Sequence, residues 1–296
     1  MGYSIGLALS GGGVRGAVHL GVLKVLTQNS IYPDMISGTS AGSIAGALFA
    51  AGIDIDGFLE EIKSVKPWKL LDPAFTPAYI LMLIFYYWTN KPMVMWGIPD
   101  GFFKGEKIEK YLDGVLGGKK FDDLKMPLFV VSADINTGDT VIFCSKKNVP
   151  KEKIYNTVFI TDAKVSEAVR ASISLPGIFL PKYIKGRKLV DGGIKDNIPV
   201  GILHHRGVKK VLAVDLGVTT GRAKADSLME ILMASMDIMG DELSYYIKKS
   251  YPGFYLYPDL QGVGYKDFRR IPEFVKYGEN VTTKALPDIK KFLQKP

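Results

Sequence analysis

The sequence predicts an α/β fold in which a mainly parallel sheet is covered by helices on both faces. Three observations lead there. Ile5 to Leu9 is a short apolar run that ends in Ser10 and three glycines, after which Val14, Val18, Val22, Val25 and Leu26 recur at helical spacing. Met35-Ile36-Ser37 ends a second such run just before the small helix formers Ala41 to Ala51. Pro199 to Arg206 reads as a helix closed by Gly207, and Val208 to Leu216 as the strand after it. Strands that alternate with helices in this way bury a parallel sheet from both sides.

Taken in order, the first unit is strand, tight turn and helix, with His19 packed beside the apolar stripe of that helix. The second strand leads into Ser40, so this serine sits at a strand end and a helix start, and the helix stops at Gly52, a C-cap residue. Pro127 to Ala133 and Thr140 to Cys144 are β-rich and flank Asp134-Ile-Asn-Thr-Gly-Asp139, which predicts a hairpin. Val165 to Leu175 is helical in pattern until Pro176-Gly177 cuts it off, and Lys188 to Val190 forms a brief strand leading to Asp191. Beyond Ala223 the pattern is mostly helical: Leu228, Leu232, Met236, Met239, Leu243 and Tyr246 make one stripe, read as core filler in preference to a lipid contact, followed by the strand-like Phe254 to Tyr257. No repeat or flexible linker divides the chain, so residues 1–296 read as one domain: a core over about 5–217, an apolar insertion at 66–104 and a helical extension over 218–296 packed on the core.

Composition narrows the function classes. One cysteine, Cys144, excludes an intramolecular disulfide framework, and with three histidines no Cys/His spacing resembles a zinc site. No metal or cofactor is expected. The net charge of +8, from 38 basic and 30 acidic residues, is spread along the chain; it suits an anionic membrane surface or a solvated face, and no nucleic-acid module is visible. The N-terminus runs straight into the first strand without a signal-peptide pattern, so a cytoplasmic protein is expected, with a peripheral place on the inner membrane surface.

One segment stands apart. Residues 73–103 hold two charged side chains, Lys91 and Asp100, and Ala78 to Trp88 is an unbroken apolar run of eleven residues. A membrane-spanning helix needs about 20, and Pro77, Pro92 and Pro99 interrupt any longer one. With Trp68, Trp88 and Trp96 in or beside it, the segment reads as a lid or an interfacial element, and Tyr79, Ile84, Phe85, Trp88 and Trp96 are its candidate lipid contacts. The competing reading is core packing.

Three short motifs carry the chemistry. Gly11-Gly-Gly-Val-Arg-Gly16 is a turn with bare backbone N–H groups, Gly38-Thr-Ser-Ala-Gly42 raises the Ser40 hydroxyl on a strand-to-helix elbow, and Asp191-Gly192-Gly193 places a carboxylate at a strand end. Gly11, Gly13 and Gly16 also match a dinucleotide fingerprint, with Asp34 eighteen residues beyond Gly16. That reading leaves the Gly-x-Ser-x-Gly turn without a purpose. As a hydrolase, the chain could use Ser40 and Asp191 with His204 or His205 as a triad, or Ser40 and Asp191 alone. A dyad requires desolvation to raise the proton affinity of an Asp of ordinary pKa about 3.9, and dipoles to favour the alkoxide and oxyanion.

The set resembles the patatin-like phospholipase family, whose pattern is a Gly-Gly-Gly-x-Arg/Lys-Gly loop, a Gly-x-Ser-x-Gly elbow and a later Asp-Gly-Gly/Ala. Asp134 to Gly138, Arg170 to Gly177 and the stretch Asp196-Asn197-Ile-Pro199 agree as well, and the similarity spans about residues 5–217. The resemblance implies a three-layer α/β/α acyl hydrolase acting on phospholipids or related esters without a metal. By motif position it makes Ser40 the nucleophile, Asp191 the base, and Gly12 and Gly13 the oxyanion donors; Arg15 would steady the loop or meet a lipid phosphate. A catalytically silent membrane-docking protein of the same fold is the alternative.

Overall fold

The computed structural model describes residues 5–75, 81, 88, 100–217, 228–258 and 270–294. Its strands are β1 (Ile5–Leu9), β2 (Met35–Thr39), β3 (Gly101–Phe103), β4 (Leu128–Asp134), β5 (Thr140–Phe143), β6 (Thr157–Ile160), β7 (Gly177–Phe179), β8 (Lys182–Ile184), β9 (Arg187–Asp191), β10 (Lys210–Val214) and β11 (Phe254–Leu256). The α-helices are α1 (Ala17–Gln28), α2 (Ala41–Ala51), α3 (Ile55–Ser64), α4 (Glu106–Val115), α5 (Val165–Ser172), α6 (Val200–His205), α7 (Leu228–Ser250) and α8 (Ile271–Gln294).

The main sheet runs β11-β10-β1-β2-β4-β5-β6, parallel from β11 to β4, with β4 and β5 joined as the expected antiparallel hairpin. Side chains alternate across it, and the two sets bury in different cores. Leu7, Leu9, Val130, Leu212 and Val214 join α1, α2, α5 and α8 on one face; Ala8, Phe129, Val131, Val211 and Ala213 join Ile202 and Leu203 of α6 on the other. This is the three-layer arrangement. In the C-terminal part, α8 lies along α1, burying Phe274 and Val275 and pairing Lys24 with Glu279 at 3.0 Å.

β9 departs from the parallel pattern and decides where the site forms. It lies antiparallel to β4 on the same edge as β2, continuing where β2 stops: Thr39 pairs with Val131, and Asp191 with Ser132. Two strands thus run toward each other along one edge and end face to face.

A second departure concerns α7. Of the stripe read as core filler, Leu232, Met239, Leu243 and Tyr246 are exposed, Met239 at 59%, and Met236 is half-buried. The covered side carries Gly240 and Ser244, and Gly240 approaches the carbonyl of Gly193. Periodicity reports that one side of a helix is apolar; it does not say which side finds a neighbour. Of the apolar segment, Leu81 and Trp88 are described and exposed, Trp88 at 82%, whereas Tyr79, Ile84, Phe85 and Trp96 lie outside the described residues. Among the described residues no helix is long and apolar enough to cross a membrane.

Candidate active site

Ser40 follows the last residue of β2 and precedes the first of α2, with φ 51° and ψ −121°, a conformation that L residues avoid and that tertiary contacts must impose. The contacts are present. The Ser40 N–H donates to Ser172 Oγ at 2.8 Å, Ser172 Oγ donates to the Val131 carbonyl at 2.5 Å, and Ser43 Oγ donates to the Ser40 carbonyl at 2.5 Å. Gly42 makes the elbow possible sterically, because a methyl there would run into the carbonyl of Leu9 at the end of β1. Gly38, in the same elbow, pairs with Leu9 in the sheet.

Asp191 closes β9 and is buried. Its N–H donates to the Ser174 carbonyl at 2.9 Å, and its Oδ1 accepts the Gly193 N–H at 2.8 Å. Burial pushes its pKa up to about 6, against the opposing pull of the Ser40 side chain and the Gly193 N–H. Gly192 shapes the turn by accepting the N–H groups of Lys195 and Asp196 at 2.9 Å each.

The glycine loop is held from three sides. Gly11 N–H donates to Asn197, to Oδ1 at 3.1 Å and to the carbonyl at 3.2 Å, so this N–H is occupied; for Gly12 and Gly13 no backbone acceptor is found among the described residues. Arg15 is not a surface residue but buried beneath the loop, donating to the carbonyls of Gly12 and Gly217 at 3.3 Å each. At Gly16 a methyl would overlap the side chain of Ala41, so only glycine lets the loop lie against the elbow.

The histidines stand elsewhere. His19 is buried, its Nε2 donating to the Ser10 carbonyl at 2.8 Å, and burial lowers its pKa to about 4, which leaves it neutral. His204 donates to the Pro252 carbonyl at 3.0 Å and stacks on Tyr251, which His205 also meets edge-on. Asp34, the ribose candidate of the dinucleotide reading, instead accepts the Ile5 N–H at 2.7 Å and ties the start of β1 to β2.

Sequence reasoning assigned no role to Ser172, Asn197, Thr39 and Asp196. Thr39 Oγ1 donates to the Asp196 carbonyl at 2.7 Å, and the buried Asp196 Oδ1 has no hydrogen-bond partner among the described residues, with burial pushing that pKa up to about 7. Ser172 and Asn197 lie in stretches the sequence had flagged, but their partners are far away along the chain.

Comparison with known proteins agrees with this architecture. A family model for patatin-like phospholipases matches residues 7–204. The chain is 30% identical over 229 residues to an uncharacterised NTE family protein of Mycobacterium tuberculosis, covering 77% of this chain and 33% of that protein. It is 30% identical over 234 residues to the lysophospholipase NTE1 of Eremothecium gossypii, covering 76% and 13%, and 28% identical over 218 residues to the neuropathy target esterase sws of Drosophila melanogaster, covering 73% and 13%. The chain therefore spans a third or less of the length of these relatives. Among solved structures, VipD from Legionella pneumophila shares the fold, with a TM-score of 0.54 at 16% identity, covering 97% of this chain and 67% of that one.

Proposed function

The chain belongs to the patatin-like phospholipase family, and from that premise we propose that it is a serine acyl hydrolase that cleaves fatty-acyl esters of phospholipids or related lipids through Ser40 and Asp191. One observation carries the reading: Ser40 and the buried carboxylate of Asp191, whose pKa is pushed up to about 6, stand at the point where β2 and β9 end face to face.

Ser40 Oγ attacks the ester carbonyl carbon as its proton passes to Asp191, and the carbonyl oxygen becomes an oxyanion that accepts from the Gly12 and Gly13 N–H groups. Collapse of this intermediate breaks the C–O bond of the ester, and the leaving alcohol takes the proton from Asp191. Water then attacks the acyl-Ser40 carbonyl, giving its proton to Asp191, and the fatty acid leaves as Ser40 recovers its hydrogen. No imidazole is needed, because burial has already made the carboxylate a stronger base than it is in water. Arg15 and Asn197 keep the loop in place without touching substrate.

The reading includes a peripheral contact with lipid aggregates. Its support is the exposure of Trp68, Leu81 and Trp88 and the outward apolar side of α7, whose covered side lies by Gly193.

The test is a panel of lysophospholipid, diacyl phospholipid, neutral glyceride and soluble short-chain ester, assayed with purified protein and with Ser40→Ala. Acyl release with at least one substrate, and fluorophosphonate labelling, should both vanish in the folded variant. Equal release by both proteins would remove Ser40 from the reaction; no release and no labelling by the parent would favour the silent docking protein.

A further inference from the structure

Arg170 has the extensive hydrogen bonding of a residue under tight geometric demand. It is 2% exposed, its charge disfavoured by burial and partly compensated by the fields of Glu109, Asp72 and Glu106. Its guanidinium looks two ways. Nη2 donates to the carbonyls of Lys104 and Leu180, the latter at 2.8 Å, and the group lies 5.5 Å from the centre of the Phe179 ring. Nη1 donates to Ser174 Oγ at 2.5 Å, and Ser174 Oγ donates back to the Arg170 carbonyl at 2.9 Å.

Both ends matter for the site. Lys104 and Leu180 directly follow β3 and β7, which pair with each other as a small separate sheet, with Phe103 against Phe179. β3 is also the first described strand along the chain after the apolar run Ala78 to Trp88. On the other side, the Ser174 carbonyl accepts the N–H of Asp191, and two residues earlier Ser172 Oγ accepts the N–H of Ser40. The end of α5 and the turn after it therefore hold the backbone of both residues of the pair, and Arg170 pins that turn to the carbonyls that follow β3 and β7.

We infer that Arg170 is a positioning residue that, through Ser174, holds Asp191 in register with Ser40 and ties that register to the β3–β7 sheet. An alternative, that Arg170 simply neutralises Glu109 and Asp72, gives no reason for Nη1 to meet Ser174. Lysine would keep the charge and lose the planar fork that serves Ser174 on one side and two carbonyls on the other. A small displacement of a base is expensive for catalysis even when the fold survives.

This inference rests on the hydrolase reading. The experiment compares the parent, Arg170→Lys, Ser174→Ala and the double variant on a soluble short-chain ester, with active sites counted by fluorophosphonate labelling and melting followed in parallel. Per labelled site, Arg170→Lys should lower kcat about tenfold or more with KM within about twofold, because misplacement by a fraction of an ångström acts on the chemical step. The pH midpoint of kcat/KM should move, Ser174→Ala should shift the same two quantities by less, and the double variant should be no worse than Arg170→Lys alone, as for residues acting in one chain. If Arg170→Lys does not fold, Ser174→Ala decides alone. An unchanged kcat per labelled site with an unchanged pH midpoint, whatever happens to the melting temperature, overturns the positioning role. A parent that neither turns over nor labels defeats the hydrolase reading itself, which is a different result.

Discussion

Ser40 and Asp191 stand where two strands that approach each other along one edge of β4 run out: Ser40 directly follows β2, and Asp191 is the last residue of β9. Their geometry is set by backbone pairing: Thr39 and Asp191 occupy consecutive positions, opposite Val131 and Ser132. A side-chain pair placed by a sheet ladder is held more rigidly than one placed by loops.

Asp191→Asn should lose nearly all ester hydrolysis, by about 10²-fold or more, the range expected for removing a general base. His204→Ala and His205→Ala should leave turnover within about twofold, since both imidazoles are engaged with Tyr251 and Pro252. Steady-state kinetics on a soluble ester separates the two; a comparable loss in a folded histidine variant would reinstate a triad.

The pH dependence has a definite sign. With the Asp191 pKa at about 6, kcat/KM should fall as pH drops through that value, because the protonated carboxyl cannot accept from Ser40. Stability moves the other way. Between an unfolded pKa of about 3.9 and the native value the folded chain holds a proton that the unfolded chain has lost, so stability falls as pH rises across this window, by about 3 kcal/mol in total. Asp191→Asn escapes this cost, and urea titrations at pH 5 and pH 8 should show its advantage over the parent widening with pH. A gap of equal size at both would mean that the carboxyl is not buried in its charged form.

Ser172→Ala removes the acceptor of the Ser40 N–H and the donor to the Val131 carbonyl. We expect a loss of about 1–3 kcal/mol in denaturant unfolding, the cost of buried groups left unpaired, together with reduced kcat as the elbow relaxes. Full activity with unchanged stability would show that the elbow stands without it.

Replacing Ile84, Phe85 and Trp88 with polar residues should weaken liposome binding and vesicle hydrolysis while sparing a soluble ester, since a few buried apolar side chains at about 25 cal/mol per Å² suffice for reversible surface binding. If both substrates and thermal stability fall together, the segment is core.

On α7, Met239→Gln should change unfolding free energy by no more than about 0.5 kcal/mol, the usual range for an exposed position. A loss of about 2 kcal/mol or more would restore the reading of that stripe as core, for such values mark buried methionine.

Local order was legible in the chain itself. Ile5 to Leu9 and Val208 to Leu216 read as strands because a central parallel strand is apolar on both faces, and the Ser40 elbow read correctly because Gly38 and Gly42 are needed within a few residues of it. The positions of Asp191 and the glycine loop followed from motif spacing. What only the tertiary structure decided were relations between segments distant along the chain: that β9 comes in antiparallel beyond the end of β2, that Asn197 occupies the Gly11 N–H, that Arg15 is buried beneath the loop, and that Ser172 and Ser174 hold the backbones of Ser40 and Asp191. The outward face of α7 belongs with these. Hydrophobic period and turn chemistry act over a few residues and leave a trace in the sequence, whereas strand order and the choice of hydrogen-bond partner are settled by which surfaces meet when the whole core closes.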